Sequence, residues 1–534
     1  AGNGRVSACG GDGFAGGGGG RVSIDIFSRH DDQEFFVHGG RSFGCSKNSG
    51  AAGTFYDAVP RRLIIDNYNL STDTNTLLLE FPNQPLWTNV FIQNQAKATV
   101  PLLWSRVQVQ GQLSLSCGAA LTFGLAHYAS SAFELIAEEL LMSDSLIKVY
   151  GALRMTVKMH LMLNSRMMID GNGDMMVVTS LLEVSNLMVL KDSSVIQSTA
   201  NLGVHGQGYM NLSGTGNLIE AQRLILSLFY SISVGPDSIL RGPLKNASAQ
   251  NETPHLYCEH QTCPGEVIYP PEDCNLNSSL PFTLQICRVE DVSVEGAVEG
   301  SVVHFHWVRS VVIPSTGMIS ASGLGCIGGV GRGNLSTNGL GGGGGHGGKG
   351  GDAYYDGELI NGGVVYGDAD LPCELGSGSG NDSLPGSTAG GGIIGISKES
   401  TIFSNIGLGG GSGGTILLFV HTLELGSSSA ISAVGGNGSP NGGGGGGGGR
   451  IHFHWSDIPV GDEYQPIAKV RGRILVRGGS GRSEGHPGEE GTITGKECPE
   501  GLYGTFCEVG FCVFLLVCLK FFCIILHYTE ATVF

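Results

Sequence analysis

The sequence has few charged residues, few prolines and no basic cluster. Charged residues make up 14% of the 534 residues, against about 25% in a typical soluble domain. Proline occurs 19 times and the 90 glycines have no three-residue period, which excludes a collagen triple helix. A net charge of −17 without a Lys or Arg cluster argues against a nucleic-acid partner. The chain begins at Ala1 instead of Met, so we expect any signal peptide to lie upstream of this sequence.

Glycine is the residue in excess, and its runs lead directly into apolar segments. The runs at 16–20, 409–414 and 442–449 precede the segments 21–27, 415–420 and 450–455. A flexible linker would not repeat this order, so we predict packed glycine segments whose missing Cβ atoms let backbones approach closely. In an extended three-fold helix of about 3.1 Å per residue, the run at 442–449 would share amide hydrogen bonds with a segment such as 341–345.

Residues 63–245 contain short alternating apolar runs and a repeated nine-residue pattern. Clear copies begin at Leu161, Met188 and Ile232, and degenerate copies begin at Glu139 and Met210. The starts are separated by 22, 27, 22 and 22 residues. Repeats of this length predict the rungs of a parallel β-solenoid, in which short strands stack onto their neighbours.

One part of this region has a competing interpretation. Residues 133–141 contain good helix formers with a helical apolar spacing, which would suit a short helix on the flank of the solenoid. The repeat register that residues 140–149 share with the later copies favours strands for that end.

Residues 246–300 differ from their surroundings in their closely spaced cysteines, prolines and sequons. Cys258, Cys263, Cys274 and Cys287 permit three disulfide pairings, and the sequence does not choose among them. Zinc binding would need tight pairs such as C-x2-C, which are absent here, so we predict disulfides. Sequons for N-glycosylation favour a secreted or luminal chain. They begin at Asn69, Asn211, Asn246, Asn251, Asn277, Asn334 and Asn381, and more weakly at Asn437, where Pro440 follows the serine.

The glycine-rich pattern returns in residues 301–496, and an apolar segment follows at 509–528. The 18 residues 509–526 are apolar except for Lys520, which brings them close to the minimum length for a membrane span. We predict a transmembrane segment there, with a non-native end of the chain as the alternative.

Two HFHW tetrapeptides are candidate metal sites. They place His304 beside His306, and His452 beside His454, on one face of a strand. Each pair would need further ligands from elsewhere. One wet and one dry strand face explains the alternation without a metal, so we predict none.

Other candidate sites also have structural explanations. Asp170 begins a DGNGD segment, but an EF-hand would need Gly in place of Met175 and Glu in place of Leu181. His205 has no acidic neighbour in the sequence. The glycine runs precede strands, whereas phosphate-binding loops precede helices. The acidic residues of the repeats fall mostly at turn positions: Asp144, Asp170, Asp192 and Asp237. We therefore predict no enzyme, cofactor or metal.

Several stretches resemble the large plant glycine-rich membrane proteins of unassigned function. The stretches are 56–60, 77–89, 102–111, 202–208, 369–381 and 442–462, and the resemblance covers nearly all of residues 1–508. It implies a longer parent chain with a signal peptide, an upstream glycine-rich region, EGF-like cysteine knuckles and several transmembrane helices. It also implies that residues 497–508, with Cys498 and Cys507, are a truncated EGF-like knuckle. The family supplies no catalytic residues.

Two departures from the family pattern are evident. The chain is shorter around residues 392–399, and a second knuckle does not follow Glu508. The glycine runs also resemble the glycine-rich domain of anaplastic lymphoma kinase-type receptors, in which polyglycine helices pack side by side.

We therefore expect a mainly β protein: a parallel β-solenoid at 63–245, flanked by glycine-rich β modules with polyglycine-helix-like segments at 1–60 and 301–496, and a small disulfide-rich insertion at 246–300. The expected function is that of a non-enzymatic, membrane-anchored scaffold or binding protein. We expect it at the plant plasma membrane or an endomembrane, with an extracellular or luminal ectodomain, and with cell-wall polysaccharide or another cell-surface protein as partner. The alternative is a β-helix lyase or hydrolase that processes cell-wall polysaccharide, which would need clustered carboxylates or an Asp/Arg/Lys groove.

Overall fold

The computed structural model describes residues 4–27, 34–78, 87–101, 106–126, 132–171, 179–244, 258, 267, 274, 282–335, 341–355, 357–380, 389–403, 411–438, 442–455, 467–495, 502–503 and 509–510. The chain forms two compact units, Ala1–Ala247 with Cys274–Ser278, and Ser248–Asp273 with Ser279–Phe534. The described residues are mainly β-strands, most of them paired in parallel, with almost no helix. The mainly β class predicted from the sequence is confirmed.

The strands of the first unit have two to five residues, except for two of 12 residues. They are β1 Arg5–Ser7, β2 Arg21–Ile24, β3 Glu34–Phe36, β4 Thr54–Asp57, β5 Arg62–Asp66, β6 Thr76–Leu77, β7 Asn89–Gln93, β8 Lys97–Val100, β9 Arg106–Gln108, β10 Gln112–Ser116, β11 Ala120–Phe123, β12 Ala132–Ile136, β13 Glu139–Ser143, β14 Leu146–Tyr150, β15 Ala152–Leu163, β16 Arg166–Asp170, β17 Ser180–Lys191, β18 Val195–Ser198, β19 Leu202–Gly206, β20 Tyr209–Ser213, β21 Leu218–Ala221, β22 Leu224–Ser227, β23 Ser231–Val234 and β24 Ile239–Gly242.

From β6 onward these strands form three parallel ladders, which the chain visits in a fixed order. The first ladder contains β9, β12, β15, β17, β19 and β22. The second contains β7, β10, β13, β15, β17, β20 and β23. The third contains β6, β8, β11, β14, β16, β18, β21 and β24. We call one passage through the three ladders a rung.

Burial alternates along most of these strands, which gives the rungs a buried face. Aligned residues of the second ladder form a continuous buried row: Leu113, Leu140, His160, Met188, Met210 and Ile232. Stacking equivalent side chains at the strand spacing of about 4.8 Å builds the core of this unit.

The repeat register predicted from the sequence is correct for the later rungs. Met188 pairs with Met210, and Met210 pairs with Ile232. These three residues were the predicted starts of copies 22 residues apart.

The predicted register is wrong for the earlier rungs. Glu139 pairs with Met159 instead of Leu161, and Leu161 pairs with Val189 instead of Met188. Residues 159–162 are apolar or histidine on both strand faces, so alternation does not reveal which of them points inward. A register shift between β15 and β17 at this point adds to the offset.

The helix considered for residues 133–141 is also wrong. The structure has β12 and β13 there, each with alternating burial. Pairing with β15 on the next rung outweighs the local helix propensity.

Three of the four aspartates assigned to turns lie at turn positions. Asp144, Asp192 and Asp237 have φ values of 47°, 49° and 54°, in the left-handed region that Asp tolerates better than most residues. Asp170 ends β16, and residues 172–178 of the DGNGD segment lie outside the described part of the chain.

The second unit contains several strands of 11 residues and a set of shorter strands. They are β25 Leu284–Val294, β26 Ala297–Gly300, β27 Val302–Val312, β28 Met318–Ser320, β29 Ala353–Tyr355, β30 Glu358–Ile360, β31 Ile393–Phe403, β32 Thr415–Leu425, β33 Ala430–Ser432, β34 Arg450–Trp455, β35 Ile467–Val470, β36 Arg473–Leu475, β37 Thr492–Gly495, β38 Leu502–Tyr503 and β39 Val509–Gly510. The strands β25, β27, β31, β32, β34 and β37 pair in parallel in that order.

The glycine run at 442–449 is buried and hydrogen-bonded throughout its second half. Three consecutive amides donate to three different segments, and the next amides return to the first two segments. The donor–acceptor pairs are Gly445–His486, Gly446–Gly436, Gly447–Gly344, Gly448–Glu489 and Gly449–Ala433, at 2.7–3.0 Å. This three-residue period matches a three-fold extended helix. The predicted hydrogen bonding to 341–345 is confirmed through Gly344.

The run at 16–20 has a similar arrangement within the first unit. Its amides donate to several segments, through the pairs Gly16–Asn48, Gly17–Gly11, Gly19–Ala51 and Gly20–Ala8. The runs at 16–20 and 442–449, and the glycines ending at 414, lead into β2, β34 and β32 as predicted.

Disulfides are present, but they reach beyond residues 246–300. Cys258 is bonded to Cys326, and Cys274, Cys287 and Cys373 are also disulfide-bonded. The prediction that these four cysteines pair among themselves is therefore wrong for Cys258, because Cys258 is bonded to a residue 68 positions away. Cys263, Cys498 and Cys507 lie outside the described residues.

The predicted membrane segment is described only at its start, where Val509 and Gly510 pair with Tyr503 and Leu502 as an antiparallel bridge. Within the described part of the chain, no helix has the length and apolarity needed to cross a membrane. Residues 511–534 lie outside that part.

Candidate functional site

An open groove in the first unit crosses successive rungs where the chain turns from the first ladder into the second. Its volume is about 480 Å³. Residues at or just after the ends of β9 and β12, and in the middle of β15 and β17, line it: Gln108, Val109, Gln110, Ile136, Ala137, Glu138, Thr156, Val157, Lys158 and Ser185.

Backbone hydrogen bonds between rungs fix the shape of this groove. The amide of Val109 donates to the carbonyl of Ile136 at 2.8 Å, and the amide of Lys158 donates to that of Glu138 at 2.8 Å. Val109, Ala137 and Val157 are buried. The polar side chains between them are thus held at the rim by a rigid, packed floor.

The rim carries one exposed ion pair. Lys158 Nζ lies 2.6 Å from Glu138 Oε1, and the side chains are 59% and 53% exposed. An exposed pair of this kind contributes little to stability. Both groups can therefore turn toward a ligand at low cost.

The remaining polar groups on the rim are neutral. Gln108 and Gln110 contribute amides, and Thr156 and Ser185 contribute hydroxyls. Amides and hydroxyls both donate and accept hydrogen bonds. Together with the self-neutralised ion pair, they give a groove suited to hydroxyl-rich, uncharged ligands.

Beside the groove, the carboxylate of Glu183 lies near His205 and Arg154. His205 of β19 pairs in register with Glu183 of β17, and Thr156 Oγ1 donates to Glu183 Oε2 at 2.8 Å. Arg154 Nη2 lies 3.7 Å from Glu183 Oε1. Burial lowers the pKa of His205, and the charge of Glu183 opposes that effect more weakly. The fold thus supplies the acidic neighbour that His205 lacks in the sequence.

The predicted wet and dry faces of the HFHW strands are wrong. His304 and His306 on one face of β27 are buried, and so is Phe305 on the other. Phe282 stacks on His304 with ring centroids 4.6 Å apart, which covers the expected wet face. Burial, followed by the charge of His306, lowers the pKa of His304 to about 3.

The second HFHW strand is similar. His452 and Phe453 on opposite faces of β34 are both buried, and His452 Nδ1 lies 3.0 Å from Thr494 Oγ1. Burial is the main cause that lowers the pKa of His452. Among the described residues, no group of three or more His, Cys, Asp or Glu side chains is arranged to hold a metal.

The described sequons are all on the surface. Asn69, Asn211, Asn334 and Asn437 are exposed. Asn437 is engaged, because its Oδ1 accepts hydrogen bonds from the amide and hydroxyl of Ser480 at 3.0 and 2.8 Å. The other predicted sequons, Asn246, Asn251, Asn277 and Asn381, lie outside the described residues.

The groove was not found from the sequence. Its residues come from four segments spaced by 20 or more positions, at or just after the ends of β9 and β12 and in the middle of β15 and β17. The rung repeat was the available signal, because it aligns Gln110, Glu138 and Lys158 once the register is known. No protein-family model, curated protein or solved structure matches this chain.

Proposed function

We propose that the chain is a non-enzymatic scaffold or binding protein whose groove binds a neutral, hydroxyl-rich polysaccharide. The observation that carries this proposal is the rim of polar side chains, amides and hydroxyls with one ion pair, that crosses four consecutive strands at one corner. Because parallel strands repeat every 4.7–4.9 Å or so, each strand adds a polar side chain to the rim at about that spacing. A polymer with a similar repeat would meet a polar group at each step.

Charge favours a neutral ligand. The lining contains one carboxylate and one ammonium, which are paired with each other. A polyanion such as nucleic acid or a polyuronate would need an excess of Lys and Arg.

The architecture suits a rigid scaffold. The three parallel ladders and their buried rows of aligned side chains support a parallel β-solenoid, and the three-residue hydrogen-bond period supports flanking glycine-rich modules with polyglycine-helix-like segments. A site built on such strands is held more firmly than one on loops.

The location is inferred from the cysteines, the sequons and the family resemblance. The disulfides favour an oxidising compartment, as do the exposed sequons. We place the chain at the plant cell surface or in the secretory pathway, with residues 509–528 as its membrane anchor, following the family resemblance.

The alternative of a polysaccharide-processing enzyme has less support. Most glycoside hydrolases use two carboxylates that flank the scissile bond, and the groove lining provides only Glu138, already ion-paired with Lys158. Glu183 and His205 lie beside the groove, so turnover is the measurement that separates the two functions.

Calorimetric titration of the secreted ectodomain with neutral and acidic oligosaccharides tests the proposal. We expect saturable binding of a neutral oligosaccharide, weakened about 10-fold by Lys158→Ala through loss of a charge-assisted hydrogen bond. Lys191→Ala is the matched control, because Lys191 ends β17 outside the groove lining. Binding that is equal in both variants, or absent for every oligosaccharide, would contradict the proposal. Release of cleaved products would favour the enzyme.

A further inference from the structure

Two exposed tyrosines on neighbouring rungs of the second ladder form an edge-to-face pair, which we call the platform. Tyr209 begins β20, and Tyr230 immediately precedes β23. Their rings are 5.6 Å apart at 70°, and the residues are 56% and 50% exposed. Aromatic rings of this size are usually buried against apolar groups, so an exposed pair is a candidate surface for contact with a ligand.

Asn211 lies on the same face of the same strand as Tyr209. Burial alternates along β20, with Tyr209 and Asn211 exposed and Met210 and Leu212 buried. Residues two apart on a strand point to one face, with a separation of about 7 Å. The side chain of Asn211 makes no hydrogen bond within the described residues, so its Nδ2 is available.

The neighbouring strand β23 places small side chains beside Tyr209 and Asn211. Tyr209 and Asn211 pair with Ser231 and Ser233 of β23. Serine is among the smallest side chains that could occupy those positions. A sugar attached at Asn211 could therefore lie back across the strand onto the Tyr209 ring without displacing a large group.

We propose that Asn211, which begins the sequon Asn211-Leu212-Ser213, carries an N-linked glycan whose first sugar packs on the Tyr209–Tyr230 platform. The apolar C–H face of a sugar ring complements the face of an aromatic ring. In the attachment, the Asn211 Nδ2–C1 bond forms as the C1–O bond of a lipid-diphosphate-linked oligosaccharide breaks. The lipid diphosphate leaves, and Nδ2 loses one proton to the transferase. This inference rests on the secretory location in the proposed function.

A free polysaccharide offers the same sugar chemistry, but the structure favours the chain's own glycan. Neither tyrosine belongs to the lining of the groove. A covalent sugar two residues away has a high effective concentration at the ring, so it would occupy the platform before a dissolved ligand.

Peptide mapping of the full chain secreted by a eukaryotic host is the first experiment. We expect a glycan on Asn211. The second experiment is enzymatic removal of that glycan from the native protein. Release should be about fivefold faster in Tyr209→Ala than in the wild-type chain, because the ring no longer holds the sugar, whereas Tyr209→Phe keeps the slow rate. Denatured samples serve as the control and should release the glycan equally. An unmodified Asn211, or equal native rates, would overturn the proposal.

A third measurement separates the two sources of sugar. Unglycosylated chain from an oxidising bacterial compartment is titrated with the oligosaccharide that the groove binds. Unchanged affinity in Tyr209→Ala supports the assignment of the platform to Asn211, and a marked loss would reassign it to the free ligand. If this chain binds no oligosaccharide, the proposed groove function fails, and the glycan measurements still decide this inference.

Discussion

His160 lies directly opposite Met188 on the neighbouring strands β15 and β17, inside the core of the first unit. Neither of its ring nitrogens has a hydrogen-bond partner in the described part of the chain. A buried polar group without a partner costs about 1–3 kcal/mol. The residues aligned with it on both sides, Leu140 and Met188, are apolar.

Replacing this histidine should therefore stabilise the protein. We expect His160→Met to raise the free energy of unfolding by about 1–2 kcal/mol, because it fills a similar volume and removes the unpaired nitrogens. Denaturant unfolding of the first-unit transition measures it. Met188→His is the reciprocal variant and should lower the midpoint. A lower midpoint for His160→Met would mean that the ring has an unrecognised partner.

Acid should destabilise both units. Burial lowers the pKa of His160 to about 4, and burial lowers that of His346 in the second unit to about 4. The unfolded chain, with a histidine pKa near 6.5, binds the proton first. The stability that these two histidines contribute by staying neutral in the folded chain is therefore fully present above pH 6.5. It is lost as the pH falls toward 4.

The measurement is the unfolding midpoint as a function of pH. For His160 the loss between pH 7 and 4 is about 3 kcal/mol at most, and His160→Met should remove that part of the slope. A slope in the variant equal to that of wild type would show that other groups cause the acid sensitivity.

The sequence predicts the spacing of the repeat well, but it predicts poorly which distant residues are in contact. The 22-residue spacing of Met188, Met210 and Ile232 is correct because each step is one complete rung. His160 was missed as a core residue, since its neighbours are apolar on both faces. Glu183 and His205 are separated by the same 22-residue step as Met188 and Met210, so the repeat spacing also aligns them. Cys258 and Cys326 are 68 positions apart, and only the structure shows that these two are neighbours.

The packed glycine run should be intolerant of side chains. A Cβ atom on Gly445 would lie 2.1 Å from the carbonyl oxygen of Gly479, which belongs to the backbone and cannot rotate away. We expect Gly445→Ala to lower the free energy of unfolding by about 3 kcal/mol. Gly328→Ala is the matched control in the same unit, because no atom lies within 4 Å of its Cβ position, and it should change stability by less than about 0.5 kcal/mol. Equal melting temperatures for the two variants would refute packing around Gly445.

Arg450, the first residue after the glycine run, anchors a distant loop. Its Nη2 donates to the carbonyls of Tyr366 and Gly367 at 2.7 and 3.2 Å, and its Nη1 donates to Thr492 Oγ1 at 2.9 Å. Burial lowers the pKa of Arg450, and the charges of Glu374 and Asp368 oppose this. Its planar fork makes contacts that an ammonium cannot reproduce.

We expect Arg450→Lys to destabilise the second unit by about 2 kcal/mol, measured as a lower thermal midpoint. Arg473→Lys, at an exposed position of β36, should leave that midpoint unchanged. If both conservative changes have the same small effect, the fork of Arg450 is not a stabilising anchor.

Because the hydrogen-bond partners of the glycine run repeat every three residues, the number of residues in the run determines which segment each later amide faces. Each residue added to or removed from the run turns every following amide by a third of a turn. The amide of Gly448, which now faces Glu489, would then face a different segment. Adding or removing three residues restores the facing partners, whereas one or two do not. The length of such a run is therefore constrained in steps of three, although every residue in it is the same.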